Sequence, residues 1–271
     1  MEGVTHLLHE LPELIVEFYF HNFLPKAKLF TGRMTIAKKH RQSPIDIRTE
    51  KVCCDPKVCQ VNSLHIDYKM GDCVDVECSE SGWKVNVAKN CQSFLTGSHL
   101  EGKYELAQFH AHWSYDGTRG SEHMIDGKPQ AAEVHFVFWN TKYSNINEAL
   151  EKPDGLAVVG VFIHEGLYNE NYQPLLDAIK RSNESDTPAA LPHEFTIEQL
   201  MPDHGERDFV TYLGSLTTPP YNESVIWTLF TKPIEVSKDQ LNVCRKICGC
   251  NYRPCQELCE RQIISSTVLH D

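Results

Sequence analysis

Apolar and polar residues alternate in short runs through the first half of the chain. Residues 64–68, 74–77 and 83–87 each place apolar side chains at every second position, with Gly and Asp in between. A period of two marks a strand with one covered face, so these segments predict antiparallel strands joined by turns. A turn at Gln42-Ser43-Pro44 enters a strand at Ile45-Asp46-Ile47, and a longer strand is expected over 100–113, after Gly97-Ser98. Residues 132–139 are rich in β-branched and aromatic side chains, as strands are. The runs 156–163 and 225–230 are apolar without alternation, which predicts strands covered on both faces. Between them, 209–213 leads as a further strand into the segment 214–220. Helical spacing is confined to 172–181 (Leu175, Leu176, Ile179), a short turn at 196–201, and 237–245, where Ser237 can act as N-cap. The fold expected is mainly β (mixed α/β): one domain around a large twisted, mostly antiparallel central sheet with short surface helices. Its bounds are expected at 34–265. Residues 1–33 match no element and read as an N-terminal arm; 266–271 read as a tail.

Two of the strands carry chemistry. In Gln108-Phe109-His110-Ala111-His112-Trp113, the imidazoles of His110 and His112 stand two residues apart. They therefore project from one strand face, about 7 Å apart. The strand Glu133-Val134-His135-Phe136-Val137-Phe138-Trp139 supplies a third histidine. If the two strands are neighbours, three nitrogens converge, and three protein ligands with an open fourth position mark a catalytic zinc site. Gln108 precedes His110 by two positions, and Glu133 precedes His135 by two. Each can sit behind its histidine and accept the N–H that does not face the metal.

Composition narrows the partners. The 271 residues carry a net charge of −11, which argues against nucleic acid and anionic membrane surfaces. No apolar run is long enough to span a membrane. The apolar stretch 11–20 is broken by Pro12, Glu13 and Glu17 and has no positive segment before it, so it does not read as a secretory signal. Eleven cysteines without such a signal suggest free thiols and a cytoplasmic location, secretion with disulfides being the alternative.

Several segments together resemble the α-class carbonic anhydrases. They are Gln42-Ser43-Pro44-Ile45-Asp46-Ile47, Gln108 to Trp113, Ser121-Glu122-His123, Glu133 to Asn140, Gly155 to Gly160, Gly214-Ser215-Leu216-Thr217-Thr218-Pro219-Pro220 and Asn251-Tyr252-Arg253-Pro254, in the family's order. The resemblance implies about ten strands and a conical cavity ending at zinc. It implies reversible hydration of carbon dioxide to bicarbonate and a proton, through attack of zinc-bound hydroxide. His110, His112 and His135 match the zinc ligands. Gln108, Glu133 and Asn251 match the groups that orient them, Asn251 through its backbone carbonyl. Thr217 matches the hydroxyl that accepts a hydrogen bond from the hydroxide, and Glu122 the carboxylate that takes the proton of that threonine. Val137, Val158, Leu216, Val225 and Trp227 match the apolar wall for carbon dioxide, and Thr218 a residue beside bicarbonate. Sulfonamides and anions are expected as inhibitors at zinc, and a monomer as the assembly.

The chain also departs from the family. Counting along Asn90-Cys91-Gln92-Ser93-Phe94 puts Gln92 where fast members carry a proton-shuttling histidine. Glutamine has no pKa near 7, so proton export is expected to be slow and helped by buffer. Leu95 replaces a residue that is often polar and in the cavity. The cysteine pair of secreted members is missing, its places holding Ala37 or a neighbour and Tyr221. The late cysteines, Cys244 to Cys259, fit no metal spacing and are expected near the sheet edge and surface.

Overall fold

A computed structural model of the chain describes residues 41–269. The arm 1–33, the start of the expected domain and Ala37 lie outside the described residues. The strands are β1 (Asp46–Ile47), β2 (Val52–Cys54), β3 (His65–Asp67), β4 (Cys73–Ser79), β5 (Gly82–Val87), β6 (Phe94–Thr96), β7 (Tyr104–Trp113), β8 (Met124–Ile125), β9 (Ala132–Asn140), β10 (Leu156–Glu165), β11 (Ala189–Ala190), β12 (Phe209–Gly214), β13 (Val225–Phe230), β14 (Ile234–Val236) and β15 (Ile263–Ser265). Among the described residues three short α-helices accompany them: α1 (Ile146–Ala149), α2 (Gln173–Ser185) and α3 (Lys238–Arg245).

Thirteen strands form one sheet, and its main path runs β11-β4-β5-β7-β9-β10-β13-β12-β15-β2. The path is mostly antiparallel, as the alternating runs require. The exceptions are β10 with β13 and β15 with β2, which pair in parallel, as β14 also does with β10 off the path. The two runs without alternation, β10 and β13, lie at the middle of the path and are buried along most or all of their length. Side chains on the two faces of the sheet form two cores. The larger gathers Phe109, Phe136, Phe138 and Val159 with α2 and α3; the smaller gathers Val137, Leu156, Val158, Val225 and Trp227. That second face carries the chemistry. Ser237 caps α3 as expected, its hydroxyl accepting from the Gln240 N–H while the Gln240 side chain returns to the Ser237 N–H.

One local expectation is corrected, and two elements were not expected. The strand expected over 100–113 starts only at Tyr104, because Gly102, at φ +96°, turns the chain before it. Phe94–Thr96 is a strand that the residue pattern does not show. Helix α1 is likewise unmarked in that pattern; Asn145 caps it by accepting from the Glu148 N–H. Among the described residues no helix is long and apolar enough to cross a membrane.

All eleven cysteines are free thiols. Cys244 is not at the surface: it lies under Trp83, whose indole N–H donates to its sulfur at 3.3 Å. Burial pushes the thiols of Cys59, Cys73, Cys91 and Cys244 up to about 12, so little thiolate is available to react. Brief alkylation of the native protein at pH 8, read by peptide mass spectrometry, should label exposed Cys53, Cys54, Cys250 and Cys259. The four buried thiols should react only after denaturation. Labelling of Cys244 as fast as Cys53 would contradict this packing.

Candidate metal centre

Strands β7 and β9 build the centre. They are adjacent and antiparallel, with His110 directly opposite His135 and His112 opposite Glu133. Opposed residues share a face, so the period-two placement of His110 and His112 brings both to His135. Ring centroids are 5.0 Å apart for His110 and His112, 5.4 Å for His110 and His135, and 4.8 Å for His112 and His135. One ring nitrogen from each lies within 4.8 Å of the others. His112 and His135 are buried, and His110 is partly open to the pocket.

The other ring nitrogens are already engaged. His110 Nδ1 donates to the Gln108 side-chain oxygen at 2.9 Å, and His112 Nδ1 to the Asn251 carbonyl at 3.0 Å. His135 Nε2 donates to Glu133 Oε1 at 2.8 Å. With those protons assigned, His110 and His112 offer Nε2 and His135 offers Nδ1 as lone pairs toward the common centre. His112 Nε2 is buried with no hydrogen-bond partner. A buried ring nitrogen left open among two others is what a metal ligand looks like before the ion is considered. Burial first, then the neighbouring imidazoles, holds His110 well below the ordinary imidazole range. Burial likewise lowers His135, against the pull of Glu133. Both are therefore neutral at physiological pH, the form a metal requires.

Glu133 is fully buried and fully satisfied. Oε2 accepts the backbone N–H groups of Glu122 (2.9 Å) and His123 (2.8 Å); Oε1 accepts from His123 Nδ1 (2.7 Å) as well as from His135. Burial would raise its carboxyl, but His123, His135 and these bonds outweigh that and hold it well below the usual range. The network continues from His123 Nε2 to the Tyr212 hydroxyl (2.6 Å), then to Ser43 Oγ (2.8 Å), which accepts the Ser215 N–H (3.0 Å). The sequence does not single out His123, Tyr212 and Ser43 for this role. Nothing in its periodicity marks them, since their meeting brings Tyr212 of β12 together with two residues outside the strands, Ser43 and His123. Gly160 on β10 lies opposite His135, and a Cβ there would come within 2.3 Å of Leu229 and 3.2 Å of Glu133 Oε1. A larger residue there would have to displace the buried Leu229 methyl and crowd Glu133.

Asn251 ties the C-terminal segment to β7. Besides its carbonyl on His112, its side chain accepts the Trp113 N–H (2.8 Å) and donates to the carbonyls of Ser81 (3.0 Å) and Ala111 (3.1 Å). Glu122 is buried; its Oε1 accepts the Arg253 N–H at 2.7 Å, and its Oε2 has no partner. The expected bond from the Thr217 hydroxyl to Glu122 is therefore not closed in the structure, although an acceptor is open for it.

A cavity of about 150 Å³ opens onto His110 and His135. Val137, Val158, Leu216, Thr217, Thr218 and Trp227 line it, together with Gln108 and three residues not expected, Ile146, Leu150 and Leu156. Val225 does not. It is fully buried on β13, paired with Leu156 and Gly214, and supports the wall from within the smaller core. Gln92 does not line the cavity either. It is exposed on the β5–β6 connection, its N–H bonded to Asp72 at 2.7 Å. Leu95 is fully buried in the larger core, so it is no cavity residue. Counting along an irregular connection misplaces both.

The family model for eukaryotic-type carbonic anhydrases matches residues 30–267. The chain belongs to this family. Carbonic anhydrase 3 of Rattus norvegicus is 38% identical over 221 residues, covering 78% of this chain and 80% of the relative. The mitochondrial carbonic anhydrase 5A of Homo sapiens is 36% identical over 251 residues, 88% and 80% of the two chains. Carbonic anhydrase 1 of Monodelphis domestica is 38% identical over 208 residues, 76% and 77%. This chain is thus a carbonic anhydrase by family, and hydration of carbon dioxide is the activity the family supports. Among the described residues two groups could hold the family's metal, the triad of β7 and β9 and the set His123, Glu133 and His135; the second is already tied up in hydrogen bonds among its own members and to Tyr212, which leaves the triad with the open lone pairs.

Proposed function

We propose that this protein is a zinc carbonic anhydrase that hydrates carbon dioxide reversibly to bicarbonate and a proton, with His110, His112 and His135 as the ligands. The observation that carries this reading is the set of three lone pairs, each fixed by a partner on the other side of its ring: Gln108, the Asn251 carbonyl and Glu133. Zinc held there would supply hydroxide at neutral pH by lowering the pKa of bound water to about 7, an effect for which carbonic anhydrases are themselves the standard example. The protein's own residues do the rest. Thr217, proton directed at Glu122, accepts a hydrogen bond and so aims the nucleophile's lone pair at the cavity. Val137, Val158, Leu216 and Trp227 keep the substrate side dry, which suits a molecule with little hydrogen-bonding capacity. Thr218 stands where bicarbonate forms. Sulfonamides and small anions should compete at the same centre. The catalytic unit is taken as residues 34–265, monomeric; the thiol-rich composition supports a cytoplasmic location.

Proton export from this centre is slow and helped by buffer. Among the described residues, the histidines lining the cavity are His110 and His135, both spoken for by the triad. Stopped-flow hydration with zinc analysis tests the whole reading. Stoichiometric zinc and turnover that climbs with added imidazole buffer are expected. A wild type holding zinc without hydrating carbon dioxide would overturn the enzyme reading, and turnover indifferent to imidazole would overturn slow proton export.

A further inference from the structure

Strand β5 runs beside β7 with Lys84 directly opposite His110 and Asn86 opposite Gln108. Opposed residues share a face, so the lysine projects on the side of the sheet that carries the triad. One strand further out, Glu77 lies opposite Lys84, and the carboxylate and ammonium approach to 3.4 Å. Asn86 turns outward to Asp75 at 2.8 Å. The row His110–Lys84–Glu77 thus leads from the buried centre to solvent, with the cation on the inner side. The Lys84 side chain is 48% exposed, so it can swing toward the mouth. The side chains lining the cavity include no acid, lysine or arginine, and its two histidines are neutral. A fixed positive charge for an approaching anion therefore comes from the rim.

We propose that Lys84 is a positioning residue for anions, strengthening the hold of this centre on bicarbonate and on inhibitory anions while leaving neutral carbon dioxide unaffected. The inference rests on the carbonic anhydrase reading above. Glu77 opposes the effect from one strand further away, so the two charges do not cancel at the centre. A unit charge about 10 Å off, in largely aqueous surroundings, changes anion affinity about two- to fourfold at low salt. At 0.1 M salt, with a screening length of about 10 Å, most of that should vanish.

The test uses the zinc-loaded protein and thiocyanate, with calorimetric Kd at about 10 mM and 200 mM ionic strength, and bicarbonate as an inhibitor of hydration. Lys84→Gln should weaken both anions about two- to fourfold at low salt, with hydration of carbon dioxide in anion-free buffer preserved. Glu77→Gln should act in the opposite sense and tighten thiocyanate binding. A merely structural role for the pair would make both variants behave alike, since either one breaks it. Lys84→Arg should keep the wild-type affinity. Unchanged thiocyanate affinity in Lys84→Gln, or shifts of the same sign in Lys84→Gln and Glu77→Gln, would overturn the inference while hydration by the wild type still upholds the function. If the wild type neither binds zinc nor hydrates carbon dioxide, the functional reading itself fails.

Discussion

His112→Ala is expected to lose the metal and, with it, hydration above the uncatalysed rate. His112 is the cleanest of the three ligands to remove. His135 carries one end of the buried Glu133 network, and His110 sits at the cavity edge beside Lys84. His112 touches that network only at distance, with Nδ1 on the Asn251 carbonyl and Nε2 open. Removing even an outer partner of a metal ligand commonly costs ten- to a hundredfold in affinity. Removing the ligand leaves two imidazoles and an enlarged hole, and the loss should be greater. Water at neutral pH holds almost no hydroxide without the metal, so the reaction has no nucleophile to replace it. The fold should survive. The Asn251 side chain still binds Trp113, Ser81 and Ala111, and a deleted buried imidazole with one unpaired carbonyl costs about 1–3 kcal/mol. Metal analysis after dialysis, stopped-flow hydration and a thermal melt would be read together. A folded variant that keeps stoichiometric zinc and wild-type turnover would show that the metal lies elsewhere.

Part of this centre is legible in the sequence for a physical reason. Side chains at i and i+2 share a strand face, so Gln108, His110 and His112 group together from spacing alone, and Glu133 with His135 likewise. What spacing does not show is register. His110 meets His135 because β7 and β9 pair in one particular alignment, which includes a shift between Leu106 and Gln108. The same blindness hides Lys84, whose strand is clear from alternation but whose partner is not. Val225 shows the limit of a run without alternation: buried on both faces, β13 gives no sign of which residues reach the cavity and which stop short. Thr217, Glu122 and Asn251 lie outside the strands that carry the triad, where no period helps, and only the family resemblance draws them in. Gln92 and Leu95 fail for the same cause. Their places depend on counting through a connection whose only regular piece, β6, has no alternation to reveal it, and the structure puts one on the surface and the other in the core.

Thr217→Ala should lower kcat/KM by about 10²–10³ with zinc retained, and Glu122→Gln should come close to it through a different route. Glu122 is buried and, as a carboxylate, can only accept hydrogen bonds. Its Oε1 takes the Arg253 N–H, which leaves Oε2 needing a donor. When the Thr217 hydroxyl fills that need, its oxygen can only accept toward the metal side, and this fixes the orientation of the attacking hydroxide. Loss of one preorganised hydrogen bond of this kind costs about 2.7–4 kcal/mol in other enzymes. In Glu122→Gln, the Arg253 N–H still demands an oxygen, so the amide NH₂ is turned toward Thr217. The threonine must then accept from the amide and donate toward the nucleophile, the reverse of what the reaction needs. The two residues therefore act as a unit, and the double variant should be no slower than the worse of the singles. Zinc content and thermal stability of each variant separate this from mere damage to the fold. Losses that multiply in the double variant, or a Glu122→Gln protein with wild-type kcat/KM, would show that Thr217 is not oriented through Glu122.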